Sequence, residues 1–245
     1  MIGIMLTPLT QNKLGQPPED TFQCMLPFST EQFFQVFGTF NLAIWPAQIF
    51  AYGVALLALV ALLRSGQIAD RVVAACLASM WLFTGIAYQW VYFARINPLA
   101  EIFAAAFVVE AALLTYTAAR GFPPSRAPDP VRGGIGAILV LYAAVAYPLI
   151  GFIVHGYPQV ALFGVTPCPV TIFTLGCFML TSNPFPWWAL VVPALWSMIG
   201  GSAAVLLNVP QDWVLLAAGP LVVTFEVRAR FRGIERDQIH LSERR

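Results

Sequence analysis

"GYPQVALFGVTPCPVTIFTLGCFML", residues Gly156 to Leu180, decides how the fold is read. The stretch is apolar and long enough to cross a membrane, yet its middle carries Thr166-Pro167-Cys168-Pro169. Proline removes a backbone donor and disfavours helix at the residue before it. Two architectures compete: a loop followed by a short helix, or one span interrupted inside the membrane. Gln159 to Thr181 is 23 residues, about 34 Å at helical rise. A helix starting only at Pro169 would have 13 and reach about 20 Å, short of the ~30 Å of hydrocarbon in a bilayer. Length therefore favours a discontinuous span, broken at Thr166–Pro169 in the outer half of the membrane. Such backbone is tolerated at that depth only where protein or a watery cavity supplies hydrogen bonds. Discontinuous helices of this kind form ion and substrate sites in many transporters. The simpler reading is a proline kink packed against neighbours, with the hydroxyls of Thr166 and Thr171 bonding the freed groups.

Working outward, the rest of the chain points to lipid as its solvent. Of 245 residues 59% are hydrophobic and 10% charged, with a mean hydropathy of +0.74, against roughly 25% charged residues in soluble domains. Between Arg132 and Asp212 lie 79 residues without an Asp, Glu, Lys or Arg, room for about three spans of ~20 residues. Seven apolar segments are predicted: 42–63, 72–93, 102–119, 133–154, 159–181, 187–207 and 213–227. They are continuously apolar instead of alternating, so helices are expected and not a barrel. The predicted fold is all-α, a polytopic transmembrane helix bundle of about seven spans. Residues 1–24 read as a flexible leader, 25–232 as the transmembrane domain and 233–245 as a polar cytoplasmic tail. Before the first span, "PFSTEQFFQVFGTF" predicts an interfacial helix over 29–40. Ser29 and Gln32 match a capping box, and Phe33, Phe34, Phe37 and Phe40 recur at helical spacing, as in a membrane-surface anchor.

Charge sorts the ends. With the N-terminus outside and seven spans, the inner segments hold Arg64, Arg71, Arg120, Arg126, Arg132, Arg228, Arg230, Arg232, Arg236, Arg244 and Arg245, eleven of the 13 basic residues. Only Lys13 and Arg95 fall outside. This is the positive-inside pattern, and six spans would destroy it.

Glu110, in "IFAAAFVVEAALL", is an ionisable group inside a span, which makes it a functional-site candidate. It lies at about the depth of Cys168. The candidate ligand site gathers Glu110, Thr166, Cys168 and Thr171, with His155 and Arg95 at the outer mouth. The bland alternative is a neutral Glu110 hydrogen-bonded to a neighbouring helix. Asn41, Gln48, Tyr88, Gln89, Asn208 and Asp212 read individually as interfacial or helix-contact residues. Gly200-Gly201-Ser202-Ala203 reads as close helix packing.

Several chemistries are argued against. The one lysine, Lys13, lies outside any span, which excludes a retinal Schiff base. His155 and His240 cannot pair across a membrane as haem ligands. The four cysteines show no CxxC spacing for a metal, and no phosphate loop or dinucleotide fingerprint occurs. No cofactor, metal, catalytic residue or nucleic-acid partner is expected, and the chain reads as a non-enzyme.

"LPFSTEQFFQVFGTFNLAIWPAQ", "WLFTGIAYQWVYFARINPLA" and "GYPQVALFGVTPCPVTIFTLG" resemble a family of uncharacterised bacterial multi-pass membrane proteins, known as a domain of unknown function. The resemblance spans about Leu26 to Val222 and sets residues 1–24 and the tail after Arg228 apart. It implies a bacterial inner membrane and no assigned activity. The leading functional expectation is a binding or permeation protein for a small solute or ion, with the lipid bilayer as its surroundings. The rival is a non-catalytic accessory subunit packed against other membrane proteins; an intramembrane enzyme is the third.

Overall fold

A computed structural model describes residues 26–64, 66–121, 129–181 and 184–242, with side chains up to Ala229 in the last stretch. The leader 1–24 lies outside the described residues, as do the side chains of the tail 233–245. Among the described residues eight helices follow one another: α1 Thr30–Ala43, α2 Ala47–Leu62, α3 Gln67–Arg95, α4 Ala100–Arg120, α5 Pro130–Val154, α6 Pro167–Leu180, α7 Trp187–Leu206 and α8 Trp213–Ser242. No strand occurs among the described residues. α3, α4, α5 and α7 are each long and apolar enough to cross a membrane, and the α1–α2 pair, bent by 86°, passes the same test as one broken unit. Large apolar side chains face outward from them, among them Phe50 69%, Ile102 64%, Ile138 68% and Ile153 84% exposed. A soluble monomer does not tolerate so much exposed apolar surface.

α1 begins as the sequence indicates. The Ser29 hydroxyl accepts from the Gln32 amide, and the Gln32 side chain accepts from the Ser29 amide. It is more than a surface anchor, however. Val36, Phe37, Phe40 and Asn41 are buried against the bundle. Asn41 Nδ2 donates to the carbonyls of Pro158 at 2.8 Å and Val160 at 2.7 Å.

Those two carbonyls belong to the stretch that opened the reading, and here the expectation needs correction. Non-helical backbone runs from Gly156 to Thr166, not over Thr166–Pro169. Pro167 and Pro169 do not interrupt a helix. They open α6, with Thr166 extended at its N-cap (φ −122°, ψ 153°). The first N–H groups of a helix have no intrahelical partner, so proline loses little there. α6 has 14 residues, about 21 Å. The length argument fails because it applies to a helix that meets lipid. All of α6 is buried except Cys168 and Leu180, which are half-buried, so longer neighbours face outward in its place. The irregular stretch is buried as well from Val160 to Thr166. Its carbonyls are met from Asn41, and the Thr166 hydroxyl donates to the Leu162 carbonyl at 2.7 Å.

α6 is the hub. α3, α5, α7 and α8 all pack on it. Trp81 Nε1 of α3 donates to Thr174 Oγ1 at 2.9 Å. Gly136 of α5 and Gly176 of α6 let the two backbones touch: a Cβ on either would sit 2.9 Å from the other's carbonyl oxygen. At the far end, the Arg132 guanidinium of α5 donates to the carbonyls of Phe178 and Thr181 and pairs with Glu226 of α8 at 2.9 Å. A cation on the last carbonyls of a helix complements its dipole. This clamp fixes α6 against both neighbours.

Candidate functional site

The head of α6 opens into a cavity of about 260 Å³. Aromatic side chains line it from several elements, Phe28, Phe33 and Phe37 at the start of the described chain and on α1, Tyr88 and Phe93 on α3, Phe103 on α4 and Trp196 on α7, and aliphatic ones such as Leu26, Leu99, Ile199 and Leu207 line the rest. The rings brace one another. Phe37 stacks on Tyr88 with centroids 5.3 Å apart, Tyr88 on Phe93 at 5.8 Å, and Phe103 meets Trp196 edge-on at 5.2 Å, the arrangements that ring quadrupoles favour. Cys168 and Asp212 also line the cavity.

Asp212 is delivered by the turn between α7 and α8. Asn208 takes a left-handed conformation (φ 53°) after α7, which asparagine tolerates better than most residues. Pro210–Asp212 then form one 3₁₀ turn. The Tyr142 hydroxyl of α5 donates to the Gln211 carbonyl at 2.8 Å and holds the turn inside the bundle. Asp212 is 4% exposed. The Tyr147 hydroxyl and the Cys168 thiol approach its carboxyl, and Trp196 approaches Cys168. None of these approaches closes into a full hydrogen bond for every atom. Asp212 Oδ1, the Tyr147 hydroxyl and Trp196 Nε1 are buried without a partner among the described residues. Buried polar atoms are rarely left so; of these three residues Asp212 and Trp196 line the cavity and Tyr147 does not.

The residues singled out in the sequence sort differently. Cys168, second in α6, reaches the cavity. The Thr166 and Thr171 hydroxyls turn onto carbonyls of their own segment, Leu162 and Pro167, at 2.7 and 2.9 Å. Glu110 faces the interior and is fully buried. Neither of its oxygens has a partner among the described residues, and it does not line the cavity. His155 caps the end of α5 and stacks on Phe34 with centroids 3.9 Å apart. Burial there lowers its pKa below the usual imidazole range. Arg95 lies over the Tyr92 ring, 5.0 Å from its centroid, on a shallow hollow with Gln32 and Gln35. The six are not gathered into one site.

Asp212 and Trp196 went unrecognised as site residues. The available signal was positional: Asp212 is the first charged residue after 79 without one, and it sits in "NVPQDW", a proline turn between two apolar segments. Trp196 lies in mid-helix, away from the belts where interfacial tryptophans gather.

Searches of curated proteins and of solved structures return no match. A family profile, described as a family of unknown function (DUF6064), matches residues 30–236. The match takes in Arg228 to Arg236, so the shared part runs further into the tail than the sequence motifs indicate. The all-helical build, the apolar outer faces and this match over most of the chain place the protein in DUF6064, a family of unknown function.

Proposed function

We propose that this chain is a seven-span protein of a bacterial inner membrane, N-terminus outside, that binds a small solute in the cavity at the head of α6. The observation that carries the binding reading is the cavity itself, lined by Asp212 and Trp196, whose Oδ1 and Nε1 are buried without a partner among the described residues. Binding is favoured over catalysis because no imidazole lines the cavity beside the Cys168 thiol among the described residues: His155 is stacked on Phe34. Each of the seven apolar segments contains a helix, α2 to α8, and α3, α4, α5 and α7 are long and apolar enough to cross a membrane by themselves. α6 serves as a half-length span completed by the irregular stretch before it.

The orientation draws support from what meets at each end. Arg71 and Gln67 crowd Gly121, and Arg132 meets Thr181 and Glu226, so the arginine-bearing ends gather on one side. The bent α1–α2 junction and the Gly156–Thr166 stretch lie at the other. A reporter fused after Arg245 should act as cytoplasmic and one at Met1 as external; both on one side refutes seven spans. For binding, the purified protein is scanned for thermal shifts with a panel of solutes small enough for the cavity. At least one should raise the midpoint, and Ala203→Phe, which fills the cavity, should remove the response. A response that survives filling refutes the site.

A further inference from the structure

We propose that the cavity takes a small organic cation: an amine with an apolar body, its charge on Asp212 and its body against the aromatic wall. The inference rests on the solute-binding reading and names its ligand class. Among the described residues, Asp212 is the only charged one lining the cavity, and it is buried. No Lys or Arg lines the cavity with it among the described residues; the Cys168 thiol and the Tyr88 phenol do. A buried carboxylate without a countercharge is costly, and a cationic ligand supplies what the wall lacks. An anion would meet that carboxyl with nothing to offset it.

The walls favour an organic cation over a metal ion. Hard cations need about six or more oxygen ligands, whereas this wall is mostly ring and alkyl carbon. Ring faces carry negative charge density and attract ammonium groups, tryptophan most strongly. Trp196 and Phe93 line the same cavity as Asp212. Size sets the scale: a dry apolar cavity of about 150 Å³ holds benzene. A volume of about 260 Å³ then admits about ten non-hydrogen atoms by the same proportion. A sugar of that size would leave most of its hydroxyls facing ring carbon.

The test compares phenethylammonium with phenethyl alcohol, its neutral isostere, by titration calorimetry on the full chain in nanodiscs. The wild type should bind the ammonium at least about tenfold more tightly. Asp212→Asn should erase that preference while retaining the alcohol, and Trp196→Leu should weaken the ammonium more than the alcohol. Equal or tighter binding of the alcohol by the wild type overturns the cation inference and leaves the solute-binding reading standing. Binding of neither reagent also overturns it. The solute-binding reading is then decided separately by the panel and the Ala203→Phe variant. The wild-type comparison needs no variant to fold, and Asp212→Glu, which keeps the charge, should keep the preference.

Discussion

Asn41→Leu is the substitution that asks most of the fold. The Asn41 amide donates to two carbonyls, Pro158 at 2.8 Å and Val160 at 2.7 Å, in the irregular stretch that leads into α6. Leucine has a similar reach and donates nothing. Leaving a buried acceptor unmade costs about 1–3 kcal/mol; the Val160 bond is buried and the Pro158 bond half-buried, so the two together cost about 2–5 kcal/mol, and no lipid group can take over. Part is offset, because Asn41 Oδ1 itself is buried without a partner and the variant removes it. The net loss is about 3 kcal/mol. Reversible unfolding in mixed micelles, by titration with a denaturing detergent, reads this difference. Thr39→Val is the control: Thr39 is exposed on the same helix, its hydroxyl bonded only to α1 carbonyls. That change should stay within about 0.5 kcal/mol. Phe33 and Phe37 of α1 line the cavity, so loosening α1 should also weaken any ligand held there. If Asn41→Leu unfolds within about 0.5 kcal/mol of Thr39→Val, the reasoning that α1 secures the irregular stretch is refuted.

Two further substitutions test the hub. Gly176→Ala puts a Cβ 2.9 Å from the Gly136 carbonyl and 3.0 Å from the Val140 amide, forcing α5 and α6 apart at about 1–3 kcal/mol. Gly133→Ala on the same α5, with open space around it, should gain about 0.5–1 kcal/mol in the same unfolding measurement. Arg132→Met removes the donor shared by Glu226 and the end of α6, and should cost about 3–5 kcal/mol as a broken buried pair. Arg132→Lys, which keeps the charge without the fork, should recover part of it.

The helices were legible because lipid-facing segments must be apolar for about 20 residues. The stretch 72–93 becomes α3, 102–119 α4, 133–154 α5 and 187–207 α7, each within a few residues. The Ser29–Gln32 cap was legible because it is local. The Pro-Cys-Pro stretch was misread because proline in mid-helix and proline at a helix start look alike in sequence. Only burial decides between them, and α6 is wrapped by four neighbours that the sequence does not name. The site was less legible for the same reason. Glu110 announces itself by standing inside an apolar run. Asp212 stands at the edge of one and looks interfacial until the α7–α8 turn is seen folded inward beneath Tyr142. The clamp at Arg132 was read only as a topology signal, because its partner Glu226 is 94 residues away.

The most direct measurement is an electron-microscopy map of the full chain in a lipid nanodisc, with an antibody fragment bound for size. A seven-span bundle with a half-length α6 places Thr166 and Cys168 inside the outer half of the lipid belt, walled off from it by the helices packed on α6, with the α8 end on the opposite face from α1. A map in which Gly156–Thr166 stands in water beyond the belt, or in which both ends of the chain emerge on one face, contradicts it.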